Sequence, residues 1–451
     1  MVKMKKVIGY LSLLLLTVSL FLCGCSTEKD SGQTVQKGQS PVSVSDPAEK
    51  GLIQEQPESV YPETTPTEAP VVYPEEGQES SESESTAIES EASEGLSEKD
   101  IAETFVGQMN LEEKVAQMFV VTPDALTGVS GASQAGDITR SKYEEIPVGG
   151  FILMEGNIKN PEQLTALTNG LKNIAKQRIG LIPFLCVDEE GGTVTRIASN
   201  SSFSIQDVGR MSEIGATGDP QKAYEVGIAL GAYLSEYGMN VNFAPVADIL
   251  QNLENSVVGS RSFGSDPELV ASMVANEIQG LHEANVATAV KHFPGHGYTE
   301  EDSHDGLAYS NRTLEDISSC ELVPFQAGIE AGTEFVMVGH IAMPEITGND
   351  TPASLSYDMV TKILKNQMGY QGIVITDAMN MGAISNLYSS ADAAIQAVQA
   401  GCDMILMPLD FYSAYEGVVE AVRNGTISED RIDESVFRIV NAKLRMHGQE
   451  K

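Results

Sequence analysis

From about residue 98 to the C terminus, short apolar runs alternate with longer segments of helical period. The runs cover 118–122, 149–153, 182–188, 241–245, 287–293, 335–340, 372–376 and 404–408. Each is rich in Val, Ile, Phe or Met and bounded by polar residues, Gly or Pro, as strands buried on both faces should be. The intervening segments carry helix signals. Asp219-Pro220 opens one that runs through Leu230 and Leu234 and stops at Gly238. Asp266-Pro267 opens another through Val270, Val274, Ile278 and Leu281. An Asp ahead of a Pro at the first helical position is good N-terminal chemistry. Asn110, with Glu113 three residues on, reads as a cap on a helix that feeds the first strand. Eight strand–helix repeats predict an α/β fold: a single (β/α)8 barrel of the TIM type over 98–451, with no second linker. An open doubly wound sheet alternates similarly, but usually with fewer strands and often with an early phosphate loop, which is not found here.

The N-terminal quarter has no such pattern. Residues 1–24 carry Lys3, Lys5 and Lys6 before an apolar run over 7–22, the form of a secretory signal. The ending Leu22-Cys23-Gly24-Cys25 resembles the lipobox of bacterial lipoproteins, which makes Cys25 the expected lipidation site. An uncleaved anchor helix is the alternative, and either reading puts the rest of the chain outside the membrane. Residues 25–97 are expected to be a disordered tether rich in Ser, Glu and Pro, a plain spacer rather than a mucin-like ligand. Over 26–100 there are 18 acidic and 4 basic side chains, a net of −14. Such a stretch buries too little apolar surface to offset its ordering entropy and repels itself into an extended form.

Residues 101–451 hold 46 acidic and 21 basic side chains, which argues against nucleic acid and anionic lipid as partners. The membrane is therefore expected to be met only through the lipid. Cys186, Cys320 and Cys402 lack metal or redox spacing and are expected to be small buried residues.

Candidate chemistry gathers at the predicted strand ends, where barrels carry their sites. The third strand runs into Asp188-Glu-Glu-Gly-Gly192, with Arg196 beyond. The fifth ends in Lys291-His292-Phe-Pro-Gly-His-Gly297, followed by Asp302-Ser303-His304. The sixth ends in His340 and the seventh in Asp377. Glycoside cleavage needs a carboxylate at the anomeric carbon and a proton donor at the leaving oxygen. Asp377 suits the first role. His304, in a Gly-containing loop, suits the second, with Asp302 placed to hydrogen-bond its imidazole. An Asp after a strand can also simply cap the next helix. Four of the six histidines lie in this region, which invites a metal, but the first strand lacks the His-x-His common in barrel metallohydrolases.

The set Lys291-His-Phe-Pro-Gly-His-Gly-x4-Asp302-Ser-His304 with Ile-Thr-Asp377-Ala-Met resembles glycoside hydrolase family 3, in its β-N-acetylglucosaminidase branch. Asp188-x-Glu-Gly-Gly, Asn242-Phe-Ala-Pro-x-Ala-Asp248 and Ser260-Arg-Ser-Phe-Gly264 follow in the family's order, and the likeness covers about 100–451. The resemblance implies a retaining exo-β-N-acetylhexosaminidase with Asp377 as nucleophile, His304 as acid/base and Asp302 as its partner. It places Asp188, Arg196, Arg261, Lys291 and His292 around the terminal sugar, and no cofactor is expected. Glu189 stands where Gln is more usual. No sandwich domain of the kind that supplies a Glu acid in β-glucosidase-like members is read here, so the acid is expected from the barrel.

Secretion and lipidation then imply an enzyme on the extracytoplasmic face of a bacterial membrane, acting on N-acetylglucosamine-containing glycans or muropeptides. The oligomeric state is left open. A phosphorylase of the same fold and a catalytically silent sugar-binding lipoprotein are the competing readings. The first follows because a His acid/base leaves the acceptor site less negative than a Glu would.

Overall fold

The computed structural model describes residues 97–299, 303 and 306–448. Cys25, the expected signal segment, the expected tether up to residue 96, Asp302 and His304 lie outside the described residues. Ten strands are present among them: β1 Phe119–Val121, β2 Gly150–Ile152, β3 Phe184–Val187, β4 Val241–Asn242, β5 Ala287–Phe293, β6 Ala308–Tyr309, β7 Phe335–Val338, β8 Ile341–Ala342, β9 Ile373–Thr376 and β10 Ile405–Leu406. Eight of them form one parallel sheet in the order β10-β1-β2-β3-β4-β5-β7-β9, while β6 and β8 pair separately. A parallel bridge from Ile375 to Met404 links the two ends and brings the sheet nearly to closure. The barrel is therefore the predicted one. Its eight strands fall within the eight apolar runs, and β5 matches its run residue for residue.

Every residue of these strands is buried, since one face packs inside the barrel and the other under the helices. The helix starts agree with the capping chemistry. Asp219 accepts from the Gln221 amide ahead of the helix Pro220–Glu236. Asp266 accepts from the Glu268 and Leu269 amides ahead of Pro267–Glu283. Asn110 and Glu113 form a reciprocal capping box.

The N-terminal end of the barrel is plugged. Phe184 and Phe335, the first residues of β3 and β7, meet edge to face with centroids 5.0 Å apart. Lys443, from the helix Glu429–Gly448, lies over the Phe184 ring at 5.0 Å and donates to Gln117 Oε1 at 2.7 Å. Asp403, fully buried before β10, fastens the same helix by accepting from Ser435 Oγ at 2.7 Å and Arg438 Nη1 at 3.2 Å. With that end sealed, the cavity at the barrel axis opens at the C-terminal ends of the strands.

Burial pushes the Lys443 ammonium down to about 7. An unfolded lysine titrates near ~10.4. Between those values the unfolded chain binds more protons, so this residue's contribution makes stability rise with pH. Urea unfolding of the wild type and Lys443→Met at pH 6.5 and pH 9 should show the difference moving about 1–3 kcal/mol toward the wild type at the higher pH. A pH-independent difference would contradict this account.

Candidate active site

Beyond β3 the side chains keep alternating, so Asp188 and Glu190 face the barrel mouth while Glu189 turns away. The chain then doubles back through Gly191 and Gly192, at φ of 92° and 61°. A Cβ on Gly191 would stand 2.5 Å from Val208 Cγ2, so only glycine fits the turn.

Glu190 sits between two cations. Lys291 Nζ approaches Glu190 Oε1 at 2.6 Å and donates to Asp188 Oδ1 at 2.8 Å. Arg261 grips Glu190 with both prongs, Nε to Oε2 and Nη2 to Oε1, each at 2.7 Å. Glu190 and Lys291 are each 2% exposed, so neither charge is offset by water. Burial alone would raise the Glu190 carboxyl, but Arg261 and Lys291 overcome it and hold the group far below the usual carboxylate range. Burial would lower both cations, but Asp188 and Glu190 raise Lys291 and Glu190 raises Arg261.

The network continues along β5. The β5–β7 register shifts between Val290 and Phe293, and the consecutive residues Lys291 and His292 both line the cavity. Arg261 Nη2 lies 3.4 Å from His292 Nε2, and His292 Nδ1 lies 2.7 Å from Asp248 Oδ2. The Asp248 carboxylate can only accept, so His292 Nδ1 carries its hydrogen toward it. Asp248 Oδ1 also accepts from the His296 amide at 2.7 Å. His296 Nε2 then meets Ser303 Oγ at 3.0 Å, and the Ser303 carbonyl accepts from the Ala383 amide at 3.2 Å. The residue between Asp302 and His304 is thus fixed at two points. Gly297 allows this fold-back, since a Cβ there would stand 1.9 Å from the Ile249 carbonyl oxygen.

Asp377 follows β9. Its amide donates to Val338 O at 2.9 Å, and its Oδ1 accepts from the Ala378 amide at 2.7 Å. The next helix, Gly382–Ser385, has no side-chain cap, so Asp377 is not a capping residue. Burial would raise its carboxyl, yet the nearby His292 and His340 rings, the Ala378 amide and Lys291 together hold it below the usual aspartate value. It is therefore ionised at neutral pH while still partly open to the cavity. His340 is buried behind it, with Nε2 donating to Ala378 O at 3.1 Å.

Asp188, Arg196, Arg261, Lys291, His292 and Asp377 all line one cavity of about 280 Å³ at the C-terminal ends of the strands. Its apolar wall includes Ile152, Met154, Val257, Met337 and Leu406. Every described residue expected at the site is thus in the same place; Asp302 and His304 are outside the described residues. Sequence reasoning assigned no part to Glu190, to the Asp248–His292 pair or to the His296–Ser303 tether. Alternation along Asp188-Glu189-Glu190 was the available signal for Glu190. Nothing local marks Asp248 as a partner for a residue 44 positions away. A small cavity with an apolar wall, an ionised carboxylate, and cations and imidazole nitrogens beside it is suited to gripping one sugar ring.

The fold is a (β/α)8 barrel with its charged cluster at the C-terminal ends of the strands, and the comparisons place it in a family. The model of the glycosyl hydrolase family 3 N terminal domain matches residues 110–442. The chain belongs to glycosyl hydrolase family 3. It is 34% identical over 330 residues to beta-hexosaminidase A of Pseudoalteromonas piscicida, covering 68% of this chain and 54% of that protein. It is 33% identical to the beta-hexosaminidase of Stenotrophomonas maltophilia (strain K279a), covering 62% of this chain and 82% of that protein. A family 3 beta-N-acetylglucosaminidase structure from Paenibacillus sp. superposes with a TM-score of 0.70 at 37% identity, covering 76% of this chain and 63% of that one. This chain thus spans about half the length of the Pseudoalteromonas relative.

Glu190 and Asp188 both hold Lys291, but they should differ in cost when neutralised. Removing one partner of a buried pair costs about 3–5 kcal/mol, because a charge is left without compensation. Glu190→Gln strips both Lys291 and Arg261 and should fall in that range by urea denaturation. Asp188→Asn, at a side chain 20% exposed and with Glu190 still on Lys291, should cost less than about 2 kcal/mol. Equal losses would show that Glu190 is not the hub.

Proposed function

We propose that this protein is a retaining exo-β-N-acetylhexosaminidase that releases N-acetylglucosamine from the non-reducing end of β-linked amino sugars. The observation that carries the reading is Asp377: an ionised carboxylate, fixed at a strand end, on a cavity sized for one sugar ring and lined by Asp188, Arg196, Arg261, Lys291 and His292. In the proposed first step, Asp377 attacks the anomeric carbon while His304 gives its proton to the leaving oxygen. A glycosyl–Asp377 ester forms and the aglycone departs as an alcohol. In the second step His304 takes a proton from water, which displaces Asp377 and releases the sugar. Asp302 holds the imidazole and supports its charged form. The Ser303 tether supports this arrangement by fixing the centre of the Asp302–His304 segment.

The leader and Leu22-Cys-Gly-Cys25 support lipid anchoring through Cys25 on the extracytoplasmic face of the membrane. The proposed natural substrates are accordingly peptidoglycan fragments. Mass spectrometry of Cys25 tests the anchor: the wild type should carry a diacylglyceryl group there, and an unmodified thiol would refute the placement.

Turnover of a nitrophenyl N-acetylglucosaminide beside the matching glucoside tests the activity. The amino sugar should be strongly preferred, with free N-acetylglucosamine as product whether or not phosphate is present. Sugar 1-phosphate would identify a phosphorylase, and no turnover a binding protein. Asp377→Asn should fold normally and lose at least about a thousandfold in kcat; near-normal turnover would remove it as nucleophile.

His304→Ala should be severely slowed on disaccharides. It should be slowed much less in the first step on nitrophenyl glycosides, whose leaving groups need little protonation. Slow deglycosylation should then produce a burst of nitrophenol. A uniform loss without a burst would assign the proton to another group.

A further inference from the structure

Glu189 is fully buried, does not line the cavity, and yet its carboxylate is the most heavily used in the β3 turn. Oε2 accepts from the Arg196 amide at 2.6 Å and the Ile197 amide at 2.9 Å. Oε1 accepts from the Ala198 amide at 2.8 Å and the Tyr233 hydroxyl at 2.9 Å. Its own backbone is clamped by Asn242, whose Oδ1 accepts from the Glu189 amide at 3.0 Å and whose Nδ2 donates to the Glu189 carbonyl at 2.8 Å. All four partners of the carboxylate are donors. Burial and the facing carboxylate keep the Tyr233 phenol protonated.

Arg196 differs from the other cations of the cavity. Lys291 and Arg261 are held through their charged ends by Glu190. The Arg196 Nε is buried without a partner among the described residues. Its backbone, through three consecutive amides on one carboxylate, is what fixes where its guanidinium starts. We infer that Glu189 is a positioning residue for sugar binding: it holds the 196–198 backbone so that Arg196 enters the cavity ready to donate to a bound sugar. The adjacent glutamates divide the work, Glu190 fixing side-chain charges and Glu189 fixing main chain. An apolar side chain of similar length offers none of these donors an acceptor, so it tests the anchor more cleanly than Gln, which is the more usual residue here.

The inference rests on the sugar-hydrolase reading for its kinetic consequence, but not for its structural one. In Glu189→Met, amide hydrogen exchange should accelerate selectively at 196–198 while the barrel strands stay protected. KM for the nitrophenyl N-acetylglucosaminide should rise about tenfold with kcat held within about threefold, the signature of lost uniform binding. A role confined to stability would instead lower the apparent kcat with the folded fraction and leave KM alone. Arg196→Ala should raise KM similarly, and adding Glu189→Met to it should cost nothing more, since both remove one interaction. Multiplying effects in the double variant, or unchanged exchange at 196–198, would overturn the assignment. If Glu189→Met folds too weakly to assay, Glu189→Asp, which withdraws the carboxylate by one methylene, reads the same cycle. Wild-type protein without turnover would refute the hydrolase reading, and the exchange result would still decide the role of Glu189.

Discussion

The constraint on which the site depends is the charge of Glu190. Three polar chains meet at this one buried carboxylate: Arg261 from a loop after β4, Lys291 from β5, and through Lys291 the Asp188 carboxylate from the end of β3. A lysine or arginine desolvated to this degree would be untenable alone. Bidentate pairing with Arg261 and a short contact to Lys291 offset that cost, and at the same time fix the direction of each donor. The Arg261–His292–Asp248–His296–Ser303 series extends the order laid down at Glu190 as far as Ser303.

The barrel makes such a site affordable by concentrating apolar packing elsewhere. Its strands are short and wholly buried, and its N-terminal end is filled by Phe184, Phe335 and Lys443. Asp403 ties the last helix to the segment between β9 and β10, beneath the strand that carries Asp377. A rigid base and a polar mouth are two consequences of the same closed sheet. The mouth can hold a tightly specified cluster of charges because the core beneath it does not deform.

The fold was largely legible because fully buried parallel strands leave uninterrupted apolar runs, and Asp-Pro pairs mark helix starts. Strand ends were read too long, as at 241–245, where only Val241–Asn242 forms a regular strand. Asp188, Arg196, Arg261, Lys291, His292 and Asp377 were legible because motif spacing and strand position agreed on them. Partners contributed by distant loops were not. No local pattern says that Glu190 meets Arg261, 71 positions away, or that Glu189 anchors amides instead of facing the cavity. Two adjacent glutamates look alike in sequence; only the direction of each side chain separates a charge hub from a backbone anchor.

If the Glu190-centred cluster orients a sugar over Asp377, the Asp377 carboxylate must become bonded to that sugar during turnover. A slowly hydrolysed fluorinated N-acetylglucosaminyl fluoride, incubated with the enzyme and followed by peptide mass spectrometry, reads this directly. The peptide containing Asp377 should gain the mass of one glycosyl group, and Asp377→Asn should gain none. A label on any other carboxylate, or rapid turnover by the Asn variant, would contradict the account.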